Sequence, residues 1–119
     1  MATVTASGLR EERHGDVSIL HLPQRLTLGE AAQDLQVTAR QLAENGARRV
    51  VIDLGGTSYV DSAGIGALVS AFSTVQSRGG SLVLANVGKR VADLLQLTKL
   101  YTVFTVYPSV DEAVAALEQ

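Results

Sequence analysis

The chain has 119 residues, 46% of them hydrophobic, which is enough for one domain and little more. Its 12 acids and 10 bases leave a net charge of −2, and no Lys/Arg run exceeds two residues, so the electrostatic footprint for nucleic acid or an anionic membrane is missing. There is no cysteine, which excludes disulfides, thiolate chemistry and Cys-ligated metal.

Aromatics make up only 4%, so the core must be built from Val, Leu, Ile and Ala. Met1 to Arg10 has no continuous apolar run of the kind a secretory leader needs, and nothing approaches the ~18 apolar residues of a membrane span. The expectation is a soluble, cytoplasmic protein of one domain over residues 1–119, with its core from about 3 to 117.

In chain order, the first ~13 residues read as a weak edge strand carrying Thr3, Val4 and Thr5. His14-Gly15-Asp16 is a tight turn, and Val17 to Leu22 completes a hairpin. Thr27-Leu28-Gly29-Glu30 matches a capping box, with Thr27 as N-cap of a helix that stops at Asn45-Gly46. Ala31, Leu35, Ala39 and Leu42 form its apolar stripe. Val50-Val51-Ile52, β-branched throughout, reads as a central strand buried on both faces.

A loop from Asp53 to Asp61 then leads to a second helix, from near Ser62 to Gly79-Gly80, with Ile65, Leu68, Val69 and Phe72 as its expected core stripe. Ser81 to Val87 is a further buried strand. A third helix spans about Lys89 to Leu97, with Val91, Leu94 and Leu95 inward. Val103 to Tyr107 reads as the last strand, ended by Pro108. A second capping box, Ser109 to Glu112, opens a short final helix with Ala113, Val114 and Leu117 inward. Strands alternating with helices indicate an α/β layer architecture.

The most informative stretch is Val51 to Leu68, Val-Ile-Asp-Leu-Gly-Gly-Thr-Ser-Tyr-Val-Asp-Ser-Ala-Gly-Ile-Gly-Ala-Leu. Asp61-Ser62 falls at a helix start, where free amides and a partial positive charge favour an added anion. The other two well-marked helix starts carry Glu30 and Glu112 at the capping-box position, but here Ala63, Gly64, Ile65 and Gly66 follow Ser62, so no Glu occupies the first turn. A helix cap alone also accounts for the dipeptide. The two roles are compatible, with Asp61 holding the helix and the Ser62 hydroxyl pointing outward. Ala63, Gly66, Ala67, Ser70 and Thr74 lie off the apolar stripe. They form either a low surface over which a partner can approach or a seat for a neighbouring loop. Gly66 favours the former, because glycine inside a helix costs about 1 kcal/mol relative to alanine.

This stretch closely resembles the STAS domains of bacterial anti-sigma factor antagonists, in which an apolar strand, a loop and an Asp-Ser-Ser/Ala-Gly-Leu/Ile-Gly motif open a helix. The resemblance extends over about residues 3 to 117. It implies an α/β, STAS-like single domain with a mixed sheet of four to five strands and about four helices. It also implies a partner-switching phosphoprotein in transcription regulation rather than an enzyme. The unphosphorylated form would bind an anti-sigma factor serine/threonine kinase and free the sigma factor. Phosphorylation of Ser62 would end that binding, and a PP2C-type phosphatase would reverse it. The expected partner-binding residues around Ser62 are Asp61, Ala63, Gly64, Gly66, Ala67, Ser70 and Thr27. No catalytic residue, metal or cofactor is implied.

One departure stands out. Many of these antagonists carry Gly-x-Leu-Asp after the second strand, whereas this chain has Gln24-Arg25-Leu26-Thr27, with Leu26 left as a buried anchor. Other readings are a STAS-like scaffold or transporter-associated subunit with a constitutive contact, and a small nucleotide-binding or hydrolytic α/β protein. Against the last, Gly55-Gly56 is not followed by Gly-Lys-Ser/Thr, and no Gly-x-Ser-x-Gly elbow is present. His14 in a turn and His21 in a strand form no metal-ligand pattern with acids. Asp53 reads as a strand end, and Asp34 and Asp93 as solvated helix-face charges.

Overall fold

The computed structural model describes residues 3–118. In chain order the elements are β1 (Thr3–Val4), β2 (Arg10–His14), β3 (Val17–His21), β4 (Arg25–Leu26), α1 (Glu30–Glu44), β5 (Arg49–Asp53), β6 (Tyr59–Val60), α2 (Ser62–Ser77), β7 (Ser81–Ala85), α3 (Lys89–Leu97), a 3₁₀ turn (Leu100–Thr102), β8 (Val106–Tyr107) and α4 (Val110–Leu117). The main sheet runs β1-β2-β3-β5-β7-β8. Its first two junctions are antiparallel and the remaining three parallel. The α/β class and the four helices are as the sequence indicated. The two-residue edge strands β1 and β8 extend the sheet to six.

The period-two alternation of the central strands divides the core. Leu20, Val50, Ile52, Leu82 and Leu84 belong to the larger cluster with residues of α1, α2 and α3. Val17, Ile19, Val51, Val83 and Ala85 pack with Ala113 and Val114 of α4. Val50, Val51 and Ile52 are each 0% exposed, which makes β5 the strand buried on both faces. At roughly 1.5–3 kcal/mol per buried aliphatic side chain, these central residues are the main apolar contribution to holding the two layers together.

Four local expectations need correction. The N-terminal edge is two strands rather than one: the chain turns between Thr5 and Leu9, where the Leu9 carbonyl accepts from the Thr5 amide at 2.8 Å. Met1 and Ala2 lie outside the described residues. Thr27 is not the cap of α1. The N-cap is Gly29 at φ +108°, a conformation open to glycine, and no side chain caps this end. The last strand is only Val106–Tyr107, because Leu100–Thr102 winds into a 3₁₀ turn that brings Phe104 into the core. There Phe104 meets Phe72 edge to face, with ring centroids 5.4 Å apart.

The fourth correction concerns α2. Leu68 is fully buried as expected, but Ile65, Val69 and Phe72 are only half-buried at the rim of the core. The deepest positions are Gly64, Ala67, Leu68, Ala71 and Val75. α2 packs along α1 and over β7, and small side chains on this face let it seat closely. Two helix boundaries held. Asn45 is the C-cap of α1, and the Ser109 hydroxyl accepts from the Glu112 amide at 3.1 Å to start α4.

Candidate functional site at the start of the second helix

The parallel strands β3, β5 and β7 all point their C-terminal ends toward the same edge, and the segment leading to Ser62 leaves from there. This segment contains a feature the sequence did not reveal. β6 pairs in parallel with β4, matching Arg25 to Tyr59 and Leu26 to Val60. The Gln24 carbonyl also accepts from the Ser58 amide at 2.9 Å, and the Thr57 hydroxyl donates to the Pro23 carbonyl at 2.8 Å. Leu26 is 0% exposed and anchors the ribbon, as expected for that position.

Asp61 is the N-cap of α2. Its Oδ1 accepts from the Gly64 amide at 2.8 Å and its Oδ2 from the Leu28 amide at 2.9 Å. One carboxylate therefore fixes both the helix start and the loop before α1. The chain enters α1 through Gly29, two residues beyond Thr27, so the Thr27–Glu30 spacing no longer matches a capping box. The amides of Leu28 and Gly64 hold the Asp61 carboxyl below its ordinary value. A carboxylate with a lowered folded-state pKa adds stability above its unfolded pKa and loses it as pH falls through the folded value. Stability should therefore decline below about pH 4, and Asp61→Asn should flatten that decline in acid-denaturation curves.

Ser62 is the first residue of α2 and is exposed. No acid lies in the first turn, although Asp61 already takes the Gly64 amide. The partner-binding residues expected around it differ in exposure. Ala63 and Gly66 line a groove of about 530 Å³ shared with Leu28, Gly29, Ala32 and Gln36. Leu28 is 81% exposed at its rim. A second leucine two residues beyond the Leu26 anchor is the sequence signal for it. Ser70 and Thr27 are half-buried. Gly64 and Ala67 are buried and cannot touch a partner, which corrects their expected role. Gly64 is instead a point of closest approach: a Cβ there would lie 2.1 Å from the Leu26 carbonyl oxygen.

Below this edge, Asp53 links three strand ends. Its Oδ1 accepts from the Gly55 amide at 2.9 Å and from Asn86 Nδ2 at 3.0 Å. His21 Nδ1 lies 2.6 Å from Asp53 Oδ2, and His21 Nε2 lies 2.6 Å from Glu12 Oε1. Burial pushes the Asp53 carboxyl up, but the bonds from Asn86, Gly55 and His21 outweigh it and leave the group below its ordinary value. His21 thus sits between two acids, with each ring nitrogen facing one of them. Among the described residues, no group of three or more His, Cys, Asp or Glu could hold a metal ion. Asp34 is also not a freely solvated charge: it is half-buried, the nearby Ser7 and Thr5 hydroxyls act to lower its carboxyl, and its Oδ2 is buried beyond hydrogen-bond distance of any partner among the described residues. Asp93 pairs with Lys89 on the surface at 3.2 Å, as its place on the helix face suggested. Asp53→Ala would leave the donors of Gly55, Asn86 and His21 unpaired. It should cost about 2–3 kcal/mol in denaturant unfolding.

Residues 9–113 match the STAS domain family, and the chain belongs to that family. It is 40% identical over 65 residues to the anti-sigma-B factor antagonist of Bacillus subtilis, covering 55% of this chain and 59% of that one. It is 29% identical over 87 residues to BtrV of Bordetella bronchiseptica, covering 73% and 75%. Among solved structures, a STAS-domain anti-sigma factor antagonist from Planctomyces limnophilus superposes with a TM-score of 0.82 at 24% identity, covering 93% of this chain and 98% of that one. Among the described residues, no helix is long and apolar enough to cross a membrane.

Proposed function

We propose that the chain is an anti-sigma factor antagonist whose switch is Ser62. Unphosphorylated, the face formed by Ser62, Ala63, Gly66 and Leu28 docks an anti-sigma factor serine kinase in the cytoplasm and frees its sigma factor. Transfer of the ATP γ-phosphoryl group to Ser62 Oγ ends the complex, and a PP2C-type phosphatase hydrolyses the ester to restore it. The observation that carries this reading is the exposed Ser62 hydroxyl at the first position of α2, beside a cap that leaves it free. The names of the related proteins support the general role.

Incubation with a candidate anti-sigma factor kinase and ATP should add one phosphate to the peptide containing Ser62, and Ser62→Ala should abolish it. A wild-type chain that stays unmodified, or a Ser62→Ala chain modified equally, overturns the assignment. Leu28→Glu should weaken the complex while leaving the melting temperature near that of wild type, because the side chain is already in solvent. Calorimetric titration alongside thermal melts measures both.

A further inference from the structure

On the other side of the ribbon from its Leu26 anchor lies a second cleft, of about 470 Å³, between β6 and the start of α3. Its charged lining residues are Arg25, Lys89 and Arg90, all cations and all exposed, on a chain whose net charge is −2. We propose that this cleft receives an acidic protein segment of the same partner that reaches Ser62. The proposal rests on the reading of Ser62 as a partner-facing switch and adds the chemistry of what docks beside it.

Several observations favour an acidic segment over other anions. The cationic heads are turned to different neighbours. The Arg25 guanidinium lies 4.7 Å over the Tyr59 ring, and Lys89 Nζ is 3.2 Å from Asp93. Such an arrangement suits carboxylates met one at a time along a chain better than a single compact phosphate held by convergent donors. The Lys89–Asp93 pair is exposed, of the weak class that an incoming carboxylate can exchange with. Three cations also fall short of the roughly six to ten phosphate contacts of a nucleic-acid site. The tetrapeptide Gln24-Arg25-Leu26-Thr27 has no carboxylate and contributes Arg25 to the cleft.

The position of the cleft ties it to the switch. Tyr59 precedes Ser62 by three residues, so their Cα atoms are at most about 11 Å apart. That is close to the Debye length of about 8–10 Å at ordinary ionic strength. A phosphoryl group on Ser62 adds about −1.5 to −2 charge within reach of a segment of the same sign. Repulsion then acts on the contact that the cations attract.

The test is amide shift mapping of the full chain by NMR during titration with hexaglutamate, alongside a neutral hexapeptide and inorganic phosphate. Hexaglutamate should shift resonances in residues 57–60 and 88–91, and high salt should suppress the effect. The exposed double substitution Lys89→Glu/Arg90→Glu should weaken binding about tenfold with an unchanged melting temperature. If that variant unfolds, Arg25→Gln supplies the same comparison. Absent shifts, shifts elsewhere, or indifference to these substitutions overturn the proposal. So does inorganic phosphate acting at the same residues at lower concentration, which would mark a small-anion site. The titration needs no kinase, so its failure leaves Ser62 phosphorylation standing, and a kinase that ignores Ser62 leaves the titration readable.

Discussion

Gly64→Ala is expected to lower stability by about 3 kcal/mol or more, and the melting temperature by on the order of 10 °C for a domain of this size. Two effects oppose each other at this position. Alanine in a helix is favoured over glycine by about 1 kcal/mol. Against that, the new methyl carbon would lie 2.1 Å from the Leu26 carbonyl oxygen and 2.8 Å from Val60 Cγ1. The first contact is with backbone held in the β4–β6 ribbon, so no side chain can rotate away. The clash must be relieved by moving the start of α2, which also breaks the Asp61 bonds to Gly64 and Leu28. Gly66→Ala is the internal control. Nothing lies within 4 Å of a Cβ at that position, so only the propensity gain remains and the melting temperature should rise slightly. Thermal melts of the two variants side by side decide the matter. Equal behaviour would mean that the two glycines of the motif do not differ in the way the packing requires.

The second large effect belongs to Ser62. Ser62→Asp should weaken the complex with the anti-sigma factor kinase about a hundredfold, equivalent to ~3 kcal/mol, while Ser62→Ala should bind about as well as the wild type. The substituted side chain sits beside the Asp61 carboxylate and next to the small residues Ala63 and Gly66, where few groups are available to compensate a buried charge. Stability should change little, because an acid at the first position of a helix is favoured by the helix dipole. Low affinity together with an intact melting temperature would separate a spoiled interface from a damaged fold. Equal affinities for all three chains would end the switch model.

What could be read from the sequence follows from which signals are local. Val50-Val51-Ile52 announces a central strand because three adjacent β-branched residues suit burial on both faces. The start of α2 at Ser62 follows from Asp61 as a cap. The β4–β6 ribbon was invisible because two-residue strands more than thirty positions apart carry no periodicity. Thr27 fails as a cap for a different reason: the helix begins two residues later, at Gly29, whose positive φ the local capping-box pattern does not announce. On α2 the large residues Ile65, Val69 and Phe72 drew the expected core face toward themselves. The true contact face uses Gly64, Ala67 and Ala71, where close helix packing excludes bulk. The His21 link to Glu12 and Asp53 depends on strand register, which side-chain types alone do not specify.

The close seating of α2 also constrains how a modification at Ser62 can be communicated. A rod wedged against the Leu26 carbonyl at one end and resting on alanines along its length has no second position to slide or tilt into without opening voids beneath it. On the proposed reading, a phosphoryl group at its tip would act on whatever touches that tip.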